Sequence, residues 1–140
     1  MTKSPSLGVR AWLRLARVYQ KVDRASAAHL RGWGLSVAQF DVLARVGVRP
    51  GMTQQELAES LLVTKGNVCQ VLDRMEADGL VERRRDGRAK RLHLTPRGAA
   101  LFAEVVPAQE RMVERLFGVL DPNAQRELLA LLRDLDRRVK

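Results

Sequence analysis

The chain has 140 residues, 46% hydrophobic and 29% charged, the balance of a folded globular protein rather than a disordered one. Lysine and arginine outnumber aspartate and glutamate 25 to 16, and the net charge of +9 points to a polyanionic partner, nucleic acid before an acidic membrane. A single cysteine, Cys69, excludes an intrachain disulfide; no run reaches the ~18 apolar residues of a membrane span, and the N-terminus lacks the apolar stretch of a secretory signal.

Residues 6–31 place Trp12, Leu15, Ala16, Tyr19 and Val22 at spacings of three and four, which predicts a long amphipathic helix ended by Gly32-Trp33-Gly34. Ser36 caps a second helix with Phe40, Leu43 and Val46 on its inner face. Arg49-Pro50-Gly51 turns the chain. Thr53, followed three residues later by Glu56, forms a capping box that opens the short third helix QQELAESL. After a tight turn at 61–63, Thr64 caps a fourth helix whose inward seam is Val68, Val71, Leu72 and Met75, and Asp78-Gly79 stops it.

Two short strands follow, near 80–85 and 90–95, around Asp86-Gly87, a strong hairpin-turn signal. Thr95-Pro96 opens a fifth helix with a long apolar face: Leu101, Phe102, Val105, Met112, Val113, Leu116 and Phe117. Pro107 should kink this helix or break it near Val106. Asp121-Pro122 starts a sixth helix with Leu128, Leu131, Leu132 and Leu135 on one side.

The order predicts a mainly α fold with a small β-hairpin wing, a winged helix-turn-helix with helices added at both ends. Two strands alone make no stable sheet, so the ribbon must lean on the helices or on a partner. A short helix, a tight turn and a longer helix is the layout of a duplex reader, whose second helix enters the major groove. At about 100° per residue, an inward Val68–Met75 seam turns Gly66, Asn67, Gln70 and Arg74 outward. Asn and Gln pair bidentately with adenine, Arg with guanine or phosphate, and Gly permits close approach. Lys65, near the helix start, suits a phosphate.

One such polar face is by itself most often a solvated helix surface. The ribbon changes that, because Arg83, Arg84, Arg85, Arg88, Lys90 and Arg91 fall within nine positions. Concentrated like charge is self-repulsive, and an anionic partner accounts for it. Arginine at a hairpin tip suits the narrow minor groove of A·T-rich DNA. Asp86 either holds the Arg88 guanidinium by a charged hydrogen bond or serves only the turn.

The stretch ELAESLLVTKGNVCQVLDRMEADGLVERRRDGRAKRLHLTPRG resembles the MarR family of bacterial transcription regulators. The most specific markers are DGLVERR at the helix end, Asp86-Gly87-Arg88 at the wing tip, and LTPRG at the start of the fifth helix. LSVAQFDVL is similar to the family's second helix, and the terminal helices to its dimerisation arms. The resemblance implies a homodimer with one MarR-like domain over 1–140, its DNA-binding lobe at about 35–95 and its dimerisation helices at about 6–31 and 96–139. It implies a palindromic double-stranded DNA operator, Arg88 in the minor groove, and Asn67, Gln70 and their neighbours facing the major groove. The DNA-binding set is then Thr64, Lys65, Gly66, Asn67, Gln70, Arg74, Arg84, Arg85, Asp86, Arg88, Lys90 and Arg91. Many members are repressors released by small aromatic or phenolic ligands. The family often has glycine where Leu62 stands, and its peroxide sensors carry a cysteine in the first helix, where this chain has none.

An effector pocket would lie where the arms meet the winged lobe, near Trp12, Tyr19, His29 and Trp33. Trp and Tyr at helical spacing are more often core than ligand contacts. Cys69 reads as a small apolar filler on the flank of the fourth helix. Cys69 with the distant His29 and His93 makes no metal-ligand set, so no metal or cofactor is expected. No catalytic triad, phosphate loop or metal cluster argues for an enzyme. The expectation is a cytoplasmic, DNA-binding transcription regulator. The alternative is a winged-helix module that binds RNA or an acidic protein without operator specificity.

Overall fold

Side-chain caps set the helix starts. A computed structural model describes residues 3–61 and 65–140. Helix α1 (Leu7–Leu30) begins where the Ser6 hydroxyl accepts from the amide of Val9 at 3.3 Å. A single 3-10 turn (Arg31–Trp33) leads to α2 (Val37–Val48). There the Ser36 hydroxyl accepts from the Gln39 amide while the Gln39 side chain accepts from the Ser36 amide, a full capping box. The capping box expected at α3 (Gln54–Leu61) is also present: Glu56 N–H donates to Thr53 Oγ1 at 3.1 Å, and Thr53 N–H to Glu56 Oε1 at 3.0 Å. Residues 62–64, which hold most of the turn expected at 61–63 and the Thr64 cap, lie outside the described residues.

Helix α4 (Lys65–Ala77) ends as its glycine predicts. Gly79 has φ +74°, the Leu80 amide donates to the Met75 carbonyl at 2.9 Å, and the Gly79 amide donates to that of Glu76. The strands β1 (Val81–Asp86) and β2 (Ala89–Leu94) pair antiparallel, with Asp86 opposite Ala89. The two loop residues are therefore Gly87 and Arg88, one place later than the Asp86-Gly87 turn read from sequence. Gly87, at φ +61°, takes the left-handed position, and Asp86 keeps its place in the strand.

The ribbon gains a third edge that the sequence pattern did not reveal. Leu92 N–H donates to the Met52 carbonyl and Gly51 N–H to the Leu92 carbonyl, both at 2.8 Å, and Thr53 bridges to Arg91. Helix α5 (Pro96–Phe117) starts at Thr95, whose hydroxyl accepts from Gly98 N–H and donates to the Gly79 carbonyl at 2.6 Å. That one side chain ties the end of α4 to the start of α5. The break expected at Pro107 does not occur, and α5 runs through it. The carbonyl that Pro107 leaves without a donor is that of Ala103, which is exposed to water along with the proline itself.

The chain divides into two compact units, one ending at Gln109 and one spanning Glu110–Lys140. The first has a single apolar core. Leu30 from α1, Leu43 and Val46 from α2, Leu57 from α3, Leu72 and Met75 from α4, Leu92 from β2 and Val105 from α5 are all fully buried. The first turns of α1 stand outside it, with Leu7, Val9, Trp12 and Leu13 exposed. The second unit holds the end of α5 and helix α6 (Pro122–Arg138). Asp121 caps α6 by accepting from Ala124 N–H at 2.8 Å, and the Gln125 amide donates to the carbonyls of Phe117 and Leu120. None of the α6 residues is buried, and Leu131 is 69% exposed.

Gly98 is required for close approach: a Cβ there would lie 2.0 Å from the backbone oxygen of Leu80. Gly98→Ala is expected to lower stability by about 1–3 kcal/mol, the usual cost of overpacking. Urea unfolding tests this, and an unchanged midpoint would refute the packing argument.

Candidate nucleic-acid interface

The apolar seam of α4 orients its polar face. Val68, Leu72 and Met75 are buried and Val71 half-buried, so Gly66, Asn67, Gln70 and Arg74 stand exposed on the opposite side, as the periodicity predicts. Arg74 pairs with Asp78 one turn later, Nε to Oδ2 at 3.5 Å. Lys65 is the first residue of α4. Cys69, half-buried on the flank, accepts a hydrogen bond from Gln54 Nε2 of α3 at 3.2 Å. Gln54 is 8% exposed, and its Oε1 is enclosed without a donor. This interhelix contact had no sequence signal, because an apolar filler was the simplest reading of Cys69.

The six cations of the ribbon divide by their neighbours. Arg83 lies against α4, paired with Asp73 and 3.9 Å from Glu76. Arg84 pairs with Glu82 at 3.1 Å. Arg91 Nε–H donates to Asp86 Oδ2 at 2.6 Å, and its NH1 donates to the Gly51 carbonyl at 2.9 Å. The sequence-based pairing of Asp86 with Arg88 is therefore corrected: Asp86 holds Arg91. The antiparallel register brings Arg91 diagonally opposite Asp86, while Arg88 occupies the loop beyond it. The hydrogen bond it donates to Asp86 raises the Arg91 pKa above its ordinary value, so its charge is firmly held.

Arg85, Arg88 and Lys90 form no ion pair among the described residues and stand exposed at the tip. An open cleft between the ribbon tip and the start of α3 is lined by Thr53, Gln54, Gln55, Arg88, Ala89 and Lys90. Behind it, Arg49 pairs with Glu56 at 2.5 Å. The Thr53 amide, then its side chain, hold the Glu56 carboxyl below its ordinary pKa, with Arg49 and Arg91 adding to the effect.

Of the four candidate effector contacts, the structure brings two together. His29 and Trp33 meet edge to face, with ring centroids 5.0 Å apart. Gln109 Nε2 donates to the buried Ser26 hydroxyl at 2.9 Å, so its Oε1 faces His29 and places the imidazole proton on Nδ1, 2.8 Å away. Trp33 Nε1–H donates to Glu104 at 3.1 Å. Trp12 and Tyr19 are exposed on α1 instead, and Trp12 is 17 residues, about 25 Å of helix, from His29. Sequence reasoning missed Ser26, Glu104 and Gln109, since partners some 80 positions apart leave no local pattern. Among the described residues, no three His, Cys, Asp or Glu side chains are grouped to hold a metal ion, and no helix is long and apolar enough to cross a membrane.

The family model for the MarR family matches residues 33–92, from the end of the 3-10 turn that follows α1 to the second wing strand. An HTH-type transcriptional regulator of Bacillus cereus is 34% identical over 128 residues, covering 91% of this chain and 87% of that one. The chain belongs to the MarR family. Solved structures agree with that membership. A MarR family regulator from Silicibacter pomeroyi is 26% identical with a TM-score of 0.81, covering 96% of this chain and 93% of its own. A Mycobacterium tuberculosis MarR family protein in complex with salicylic acid is 28% identical with a TM-score of 0.73, covering 96% and 99%. The protein is a winged helix-turn-helix transcription regulator of the MarR family, and membership implies DNA binding.

Proposed function

We propose that this MarR-family chain is a homodimeric, sequence-specific regulator, a cytoplasmic repressor that binds a palindromic operator. The observation that carries the reading is Arg88. It is the second loop residue of a pinned hairpin, exposed and without an ion-pair partner among the described residues, on a ribbon anchored beside an exposed face of Gly66, Asn67, Gln70 and Arg74. In this reading Arg88 enters a minor groove, and the α4 face meets the adjacent major groove. Arg85 and Lys90 on the ribbon meet phosphates, and the sequence assigns the same role to Lys65, the first residue of α4, and to Thr64, which lies outside the described residues. Arg84, Asp86 and Arg91 act mainly by keeping the wing in shape.

The dimer reading rests on the apolar surface left uncovered. Helix α6 carries five leucines with none buried, and the first turns of α1 expose Leu7, Trp12 and Leu13. Faces of this kind bury against a second copy. Two copies present two reading helices to half-sites about one turn, roughly 34 Å, apart. In this arrangement residues 1–140 work as one domain, with a lobe at about 35–95 and dimerisation helices at about 6–31 and 96–139. A small aromatic or phenolic acid is the proposed effector. The salicylic acid held by the Mycobacterium tuberculosis relative and the His29–Trp33 ring pair favour that chemistry. Trp12 and Tyr19 join the effector site only if a second copy closes over them.

Selection of bound sites from random duplexes tests the whole reading: two inverted half-sites one turn apart are expected, and no enriched sequence would refute it. On the selected duplex, Arg88→Ala is expected to weaken binding tenfold or more at fixed salt, as read by gel shift. Gln70→Ala should relax preference at one base pair by about 1–3 kcal/mol; equal loss on every sequence would instead mark a backbone contact. Deleting the residues after Asp121 should give monomers by sedimentation, and a truncated dimer would remove α6 from the interface.

A further inference from the structure

Arg83 belongs to the basic ribbon by sequence, but its surroundings set it apart. Its side chain is 12% exposed, whereas that of Arg84 is 61% exposed. It stands at the third position of β1, opposite the fully buried Leu92, on the face of the ribbon turned toward the core. Its NH2 pairs with Asp73 and its Nε lies 3.9 Å from Glu76, two carboxylates three residues apart on α4. One cation between two carboxylates has its charge already matched, so a phosphate approaching it gains little. Arg83 is thus spent inside the protein, between the reading helix and the wing.

We propose that Arg83 is a positioning residue that locks α4 to β1, so that reading helix and wing engage the two grooves at a fixed separation. The inference rests on the DNA-reading function proposed above. A planar guanidinium hydrogen-bonded to Asp73 and drawn by charge toward Glu76 three residues on resists displacement of the helix against the strand, whereas an ammonium would pivot. Base-edge hydrogen bonds weaken steeply with misalignment, so a helix free to shift against the wing cannot satisfy both grooves at once. Arg83 Nε is enclosed without a hydrogen-bond acceptor, so Glu76 acts on it through charge alone. Exchanging the two carboxylates for amides therefore removes the charge attraction that holds Arg83 while leaving the packing in place.

The decisive variant is Asp73→Asn/Glu76→Gln in the full-length protein. Both side chains are at least half exposed, so the fold should survive. The exchange raises the net charge by two, and simple electrostatics then expects tighter DNA binding. The lock expects the reverse: at least tenfold weaker binding to the duplex selected by the wild type, with binding to random duplex unchanged or stronger. Arg83→Gln should show a similar loss, with the slope of log K against log salt unchanged, and Arg83→Lys should recover only part of it. A slope shallower by about 0.9 for Arg83→Gln would make Arg83 a phosphate contact and overturn the proposal. So would a double variant that binds the selected duplex as tightly as wild type or more so. If Arg83→Gln loses its circular dichroism, the double variant decides. Wild-type protein that prefers no duplex would overturn the DNA-reading proposal, and this inference with it, before any variant is made.

Discussion

Two backbone hydrogen bonds fasten the wing to the rest of the fold: Leu92 N–H to the Met52 carbonyl, and Gly51 N–H to the Leu92 carbonyl. A free two-stranded hairpin is marginal in water. Fastened to the segment ahead of α3, and with Val81 and Leu92 buried in the core, the ribbon becomes part of the folded unit. The same segment starts α3 through the Thr53–Glu56 capping box, so the register of the wing and the start of the helix-turn-helix share one short stretch of backbone. Arg91 reinforces that joint from the strand side by donating to the Gly51 carbonyl.

The distribution of charge follows from this anchoring. Arg84 and Arg91 lie directly opposite each other across the ribbon, an arrangement that repels. Glu82 takes one and Asp86 the other, and Asp73 with Glu76 takes Arg83. The exposed pairs of Arg84 and Arg91 add little stability, because solvent screens them. Their consequence is spatial: the paired cations lie along the body of the wing, and Arg85, Arg88 and Lys90, without an ion pair among the described residues, gather at its tip. A net charge of +9 alone says nothing about where an anion is met; this sorting concentrates the available field at one end of the hairpin.

The apolar surface is divided as well. The unit ending at Gln109 closes a core of its own from five helices and two strands, while none of the α6 leucines is buried. Membership of the MarR family and the proposed homodimer give that exposed surface a physical reason, since apolar area uncovered in one copy drives association with another.

Much of the fold was legible in the sequence, and for a single reason. Ser36, Thr53, Thr95 and Asp121 start helices, Gly79 ends one, and the Val68–Met75 seam orients α4 through interactions spanning three to five residues, which a linear sequence displays directly. That local logic placed the outward face of Asn67 and Gln70 and put Arg88 at the wing tip. It did not choose among distant partners. Asp86 takes Arg91 rather than Arg88 because strand register, not spacing in the chain, sets which guanidinium comes within reach. Arg83 was one of six like charges until packing turned it toward α4, and His29 met Gln109 only because α1 and α5 lie side by side. Helix α5 runs through Pro107, where both the proline and Ala103, whose carbonyl loses its donor, are exposed residues. The sequence by itself determined where elements begin, end and face; the tertiary structure alone decided which charges remain unpaired, because that depends on distances the chain sets only once it is packed.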